Sequence, residues 1–200
     1  MRKSLLVAAA LAAFSTAARA VDYDIDAAHS QVGFKVKHIV GKVPGRFTKF
    51  SGSFSYDPKS PASWKAEATI DPASINTDNE KRDAHLKSPD FFDTAKCPAM
   101  GFKSKGVTDV KDGKAKLRGD LTMHCVTKPV VLDLEIGGVD KDPWGNVTAS
   151  FTATATINRK DWGIVWNKTL DSGGLLVGEN IEVVLEVSGT AKKADAPAAK

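Results

Sequence analysis

The chain has only two cysteines, Cys97 and Cys125, in 200 residues. That is too few for a disulfide scaffold, and a chain of this length does not need one for stability. They do not form a C-x-x-C motif, which removes thioredoxin-type redox chemistry. No apolar run reaches the roughly 20 residues that a membrane-crossing helix requires. The run from Leu5 to Ala18 is too short and is broken by Ser15-Thr16. The histidines (His29, His38, His85 and His124) never approach the close spacings of metal-binding helices or knuckles, so no metal is expected. A concentrated basic footprint is also missing. The formal net charge is +4, with 28 basic and 24 acidic residues, and the lysines mostly alternate with apolar residues as on a solvated strand face. Nucleic acid is therefore not expected as a partner.

The first 20 residues have a character of their own. Arg2-Lys3, the apolar stretch Leu5 to Phe14 and then Ala18-Arg19-Ala20 form a basic n-region, a short h-region and an A-x-A cleavage site, which together predict a secretory signal peptide. Residues 1–20 are read as this leader, 21–190 as one domain and 191–200, AKKADAPAAK, as a disordered tail. Export from a bacterial cytoplasm predicts a periplasmic protein. Removing Arg2, Lys3 and Arg19 leaves the mature chain nearly neutral.

From Val21 onward the dominant signal is period two. Val32, Phe34, Val36 and His38 share one strand face, against Lys35 and Lys37. Phe50, Phe54 and Tyr56 share a face with Gly52, and Phe47, on the opposite parity, predicts a bulge near Thr48. The segment from Gly41 to Gly45, with Pro44, reads as a turn. Further alternating sets are Trp64 to Ile70, Met100 to about Val110, Ala115 to Met123, Val130 to Ile136, Phe151 to Ile157 and Ile181 to Val187. Asp112-Gly113 predicts a tight hairpin, and Gly137-Gly138 reads as a turn. Roughly eight strands with one apolar face each form either a sandwich or a barrel. Several inward side chains are small (Ala66, Ala68, Ala115, Ala153, Ala155 and Gly52), and about eight strands closed into a barrel can enclose one small ligand.

One stretch interrupts this pattern. Between Ile75 and Phe102, Thr77 followed by Glu80 is a capping-box spacing, predicting a polar helix up to about Lys87, where Ser88-Pro89 ends it. Arg82 and His85, three apart, face each other on such a helix. Two readings stay open for them: binding a head group at a barrel mouth, with Arg82 offering its donor fork, or a plain Asp78–Arg82 helix pair. His38, inward by parity, needs a hydrogen-bond partner, either a ligand head group or a neighbouring side chain. Loop aromatics Phe91, Phe92 and Trp162 cover the end of a core or touch a ligand. Asn158 is a candidate cap for a single turn through Trp162. The hairpin at Asp112-Gly113 brings Cys97 and Cys125 near one another, so a disulfide is within reach, although the parity of a clean register is wrong.

The same segments carry a family resemblance. Asn76-Thr77-Asp78-Asn79, Arg82-Asp83-Ala84-His85-Leu86 and Ser88-Pro89-Asp90-Phe91-Phe92-Asp93 resemble the central signature of the YceI-like family of periplasmic polyisoprenoid-binding proteins. AHSQVGFKVKH with GRFTKFSG, LTMHCVTKPV, and INRKDWGI with VGENIEVVLEV fit the same pattern in family order. One departure is Cys125, where the family has a small residue, usually glycine. The resemblance implies an all-β fold, an extended lipocalin-like antiparallel up-and-down β-barrel of about eight strands with one short polar helix and a helical turn. It also implies a lengthwise apolar channel. Phe34, Val36, Phe54, Met100, Phe102, Leu132 and Phe151 would line that channel, with His38, Arg82, His85, Phe91, Phe92 and Trp162 about its mouth. The implied role is a non-enzymatic carrier of an isoprenoid lipid or quinone, with that lipid as ligand and no cofactor. Transient membrane contact and a monomer or homodimer fit that role. Two alternatives are an enzyme acting on a lipid or amide head group at the Arg82/His85 mouth, and an interaction module with a filled core.

Overall fold

Residues 20–193 are described in the computed structural model. Of the expected leader only Ala20 falls within them, and residues 194–200 of the expected tail lie outside the described residues. The alternating segments form eleven strands: β1 (Val21–Ile25), β2 (Gln31–His38), β3 (Gly41–Phe47), β4 (Phe50–Tyr56), β5 (Lys65–Ile70), β6 (Ile75–Asn76), β7 (Met100–Lys111), β8 (Lys114–Met123), β9 (Val126–Lys141), β10 (Val147–Asn158) and β11 (Val177–Ala191). One helix, α1 (Glu80–Lys87), lies between β6 and β7.

The eleven strands occupy eight positions around a closed antiparallel barrel, because three positions hold two strands end to end. β1 pairs with residues 189–191 of β11, and β2 pairs with residues 177–186 of the same strand. β4 and β3 follow as the next interrupted position, against β1 and β2 respectively. β5 pairs with β4 and β6 with β3. From β5 the ladder runs through β7, β8, β9, β10 and β11, and the β1–β11 pairing closes it. The closed circuit removes the two outer edge strands that an open sheet would present. The period-two pattern then puts one face of every strand inward.

The barrel has a hairpin end and a helix end. At the hairpin end lie the loop from Asp57 to Trp64, the Asp112-Gly113 turn and the loop between Lys141 and Val147. At the helix end lie α1 with the segment up to Met100, the β2–β3 and β8–β9 turns, a 3-10 turn at Arg159–Trp162 and the loop from there to Val177.

Several local expectations are corrected. The turn between β2 and β3 is Ile39-Val40, where His38 pairs with Gly41, so Pro44 sits inside β3. Near Thr48 the chain breaks into two strands rather than carrying a bulge: Thr48 and Lys49 bond instead to Ser74 and Asp71. Gly137-Gly138 is a bulge within β9, because Gly138 pairs with Ser150 and Ile136 with Phe151. A Cβ on Gly137 would displace the Ser150 side chain and lie 3.1 Å from the Ser150 carbonyl oxygen, and that close approach favours glycine. β1, with Tyr23 and Ile25 alternating against Asp22 and Asp24, is an additional strand that the same parity signal carries. Ala191, placed in the tail by composition, closes β11 opposite Tyr23, and the Lys192 amide bonds to the Asp22 carbonyl.

Candidate functional site: an apolar cavity along the barrel

The inward faces do not fill the barrel. A cavity of about 270 Å³ runs inside it. Along β10 it is walled by Phe151, Ala153, Ala155 and Ile157, a span of roughly 20 Å at the strand rise. It reaches Trp64 and Lys65 toward the hairpin end and Leu86, Phe91 and Ile164 toward the helix end. Four of the small inward residues, Ala66, Ala68, Ala153 and Ala155, lie on its wall. Ala115 is buried in the surrounding core, and Gly52 serves packing: a Cβ there would lie 2.3 Å from the Glu67 carbonyl oxygen. The filled-core alternative does not fit this interior.

Glycines keep the channel open where large rings line it. A Cβ on Gly45 would lie 2.3 Å from the Phe34 ring, and one on Gly119 would lie 2.5 Å from the Phe102 ring. At both positions a side chain would collide with the far end of the ring, so only bare backbone leaves room for it.

Phe34, Val36 and Phe54 line the cavity, as do Phe91, Phe92, Met100 and Phe102, and so do Leu132 and Phe151. His38 does not: it is exposed at the rim of β2, past the last inward position. Arg82 is exposed and not on the wall. Its Nε donates to Thr77 Oγ1 and its Nη2 to the Thr77 carbonyl, both at 2.7 Å. Asp83 accepts from the Thr77 amide and hydroxyl. Thr77, 5% exposed, is thus the centre of a brace and not the helix cap. The cap is Asn79, whose side chain accepts from the Arg82 amide at 3.0 Å, and Arg46, not Arg82, pairs with Asp78 at 3.1 Å.

His85 also stands off the wall. Its Nε2 lies 2.8 Å from Asp90 Oδ2, and its ring meets Phe91 and Trp166 edge-on at 5.0 and 4.9 Å. Its orienting partner therefore comes from beyond the helix. Trp162 is 2% exposed and belongs to the packing at the helix end. Its indole donates to the Leu121 carbonyl at 3.1 Å, and its own carbonyl lies 2.8 Å from His124 Nδ1. Asn158 caps the turn that presents it, accepting from the Lys160 amide. His29 pairs with Asp26, so the four histidines stand apart.

Cys97 and Cys125 form a disulfide with Cα atoms 5.4 Å apart. Two bulges on β7, at Ser104/Gly106 and Thr108/Lys111, each add one residue to that strand and together leave its parity unchanged; the mismatch disappears because Cys97 precedes β7 and Cys125 lies in the β8–β9 turn, both outside the regular ladder. Cys125 has φ +59° and is the second residue of the two-residue β8–β9 turn. Such a position favours glycine, which explains the small residue that the family resemblance implies there. The bond pins the open end of the β7–β8 hairpin to the segment following α1.

Sequence reasoning missed Arg159. It is 3% exposed and lies on the cavity wall. Burial pulls the pKa of its guanidinium below the ordinary value, with Glu179 opposing. Within the charged run Asn158 to Asp161 no signal separates it from a solvated residue. Tyr56 and Trp64 were legible as strand-face aromatics, and they line the other end.

A YceI-like domain model matches residues 23–189. The chain belongs to the YceI-like family. A UPF0312 protein of Vibrio cholerae is 40% identical over 169 residues, covering 82% of this chain and 89% of its own. A UPF0312 protein of Shewanella sp. (strain MR-7) is 39% identical over 198 residues, covering 96% and 100%. Among solved structures, the Campylobacter jejuni YCEI protein superposes with a TM-score of 0.68 at 36% identity, covering 84% of this chain and 96% of that one. A polyisoprenoid binding domain from Saccharophagus degradans, implicated in plant cell wall breakdown, superposes with a TM-score of 0.62 at 16% identity, covering 86% and 99%. The YceI-like fold is thus the one that the resemblance implied.

Proposed function

We propose that this protein is a periplasmic carrier that sequesters a long isoprenoid lipid, a polyprenyl lipid or an isoprenoid quinone, in the cavity of its barrel. The observation that carries the reading is a closed barrel holding a lengthwise cavity walled by apolar side chains. Each CH₂ transferred from water into such a wall contributes about 0.8 kcal/mol, so a long tail supplies its own affinity. The polyisoprenoid-binding neighbour of the same fold supports the choice of lipid, and the leader pattern in residues 1–20 supports the compartment. Brief contact with a membrane would load and unload such a carrier. The enzyme reading loses its arginine, since two of the Arg82 donors are taken by Thr77.

The test is to express the full chain in a bacterial host, separate periplasm from cytoplasm, and identify bound lipid by native and denaturing mass spectrometry. A processed periplasmic protein carrying one isoprenoid per chain is expected. A protein that emerges empty and takes up no polyprenyl lipid when challenged overturns the reading.

A further inference from the structure

We propose that the β2–β3 turn, Ile39-Val40, together with the loop beside it, docks this protein on an anionic lipid bilayer, with the helix end of the cavity toward the lipid. This deepens the carrier reading, whose membrane contact it places on a surface, and rests on it.

The turn breaks two local rules at once. Two-residue hairpin turns favour Asn, Asp and Gly, which tolerate positive φ, yet here the residues are isoleucine and valine. Ile39 sits at φ +54°, a region where a β-branched side chain is strained, and Val40 is 96% exposed. Departures of this kind are expected at functional sites. The turn does not stand alone. The Ile39 amide donates to the Leu176 carbonyl at 3.0 Å, and the loop it meets adds Val165 and Leu175, both exposed. That loop is fastened at its base, where the Asn167 side chain donates to the Val177 carbonyl at 2.7 Å and accepts from the Val177 amide at 3.0 Å.

The surroundings select the occupant. From Gln31 to Tyr56 the chain has no carboxylate, and β2 and β3 carry Lys35, Lys37, Lys42 and Arg46. Lys42 pairs with Glu182 and Arg46 with Asp78, whereas Lys35, Lys37 and Lys168 of the loop are exposed and form no ion pair among the described residues. Asp171 is the one acid between Val165 and Leu176. An apolar tip backed by lysines suits an anionic bilayer: the tip enters the acyl boundary and the ammonium groups stay with the phosphates. A stable protein interface uses roughly 20 residues a side, far more than this tip offers. Val36 and Val177, at the feet of the two segments, line the cavity, so docking here brings its helix end to the lipid.

The test is co-sedimentation of the purified protein with vesicles of phosphatidylcholine alone and of phosphatidylcholine mixed with phosphatidylglycerol. The wild type is expected to bind the mixed vesicles more tightly. Ile39→Gly with Val40→Ser removes both side chains and the strain, so this double variant is expected to melt no lower than the wild type and to bind the mixed vesicles about ten- to hundredfold more weakly. Val40→Asp alone, which sets a carboxylate against anionic headgroups, should lose at least as much. Equal binding to the two kinds of vesicle, or binding that either variant keeps, overturns the docking surface. So does self-association of the wild type without vesicle binding, which would assign the turn to a second copy of the chain. Uptake of a polyprenyl alcohol delivered from detergent separates the two readings. A wild type that takes up the alcohol and ignores vesicles overturns the docking and leaves the carrier standing; one that does neither overturns both.

Discussion

At the hairpin end of the barrel, Tyr56 lies tilted against Trp64 at 4.7 Å and meets Phe151 edge-on at 5.0 Å, and Tyr23 lies flat on Phe54 at 4.9 Å. All but Trp64 are strand residues, and Trp64 immediately precedes β5. At the helix end, Leu86, Phe91, Phe92 and Ile164 close the cavity from segments that belong to no barrel strand. Those segments are held by the Thr77 brace, the Arg46–Asp78 pair and the disulfide. Opening the hairpin end means dismantling strand pairing, whereas the helix end can open by local unfolding of a polar-bonded flap. The difference makes the helix end the one that opens with the smaller loss of strand pairing.

The sharpest way to break the comparison is to remove a ring from the hairpin-end plug. Trp64→Ala is expected to cost about 3–5 kcal/mol of global stability, the range for emptying a buried aromatic site, read by denaturant unfolding. A loss confined to the local loop would contradict a structural plug. Next in size is the disulfide: converting Cys97 and Cys125 to alanine is expected to cost about 2–4 kcal/mol. Converting Cys125 to glycine instead, with Cys97→Ala, should recover roughly 0.5–1 kcal/mol, because the turn there requires positive φ. Equal melting temperatures for the two double variants would refute that account.

The flap itself is probed more gently. Thr77→Val removes the hydroxyl shared by Arg82 and Asp83 and should cost about 1–3 kcal/mol. Amide exchange should accelerate across residues 77–99 while β8 to β10 stay protected, and a uniform acceleration would show that the flap is not a separate unit. The smallest effect is expected from alkali. Burial raises the pKa of both Tyr23 and Tyr56, with a further push from Tyr56 on Tyr23 and from Asp57 on Tyr56. A raised folded-state pKa gives stability that is complete below the unfolded tyrosine value near 10 and is lost as pH climbs through the folded value. Replacing both tyrosines with phenylalanine should flatten the stability profile above about pH 10, measured by unfolding at fixed denaturant across that range; an unchanged slope would assign the loss elsewhere.

How far the molecule was legible follows the range of the interactions. Phe34, Phe102 and Phe151 declared their inward faces because side-chain parity is a property of a strand and its immediate sequence. Asn158 declared its cap for the same local reason. Thr77 misled because a capping box and a tertiary brace use the same residues, and only the placement of Asp83 and Arg82 around its backbone decides between them. His38 misled because parity says which face a residue takes but not whether the strand has already passed the rim.

The family's fold, the alternation and the position of the one polar helix were determined by the amino-acid sequence itself, since each rests on residues a few places apart. Tertiary structure alone decided the rest. The cysteines meet because Cys97 lies ahead of β7 and Cys125 in the β8–β9 turn, free of the ladder whose parity would keep them apart. Arg159 is buried because the carbonyls of Ile164 and Gly178, 5 and 19 residues away, take two of its donors. The cavity exists because eight strand positions, each too narrow to enclose anything, share one closed circuit.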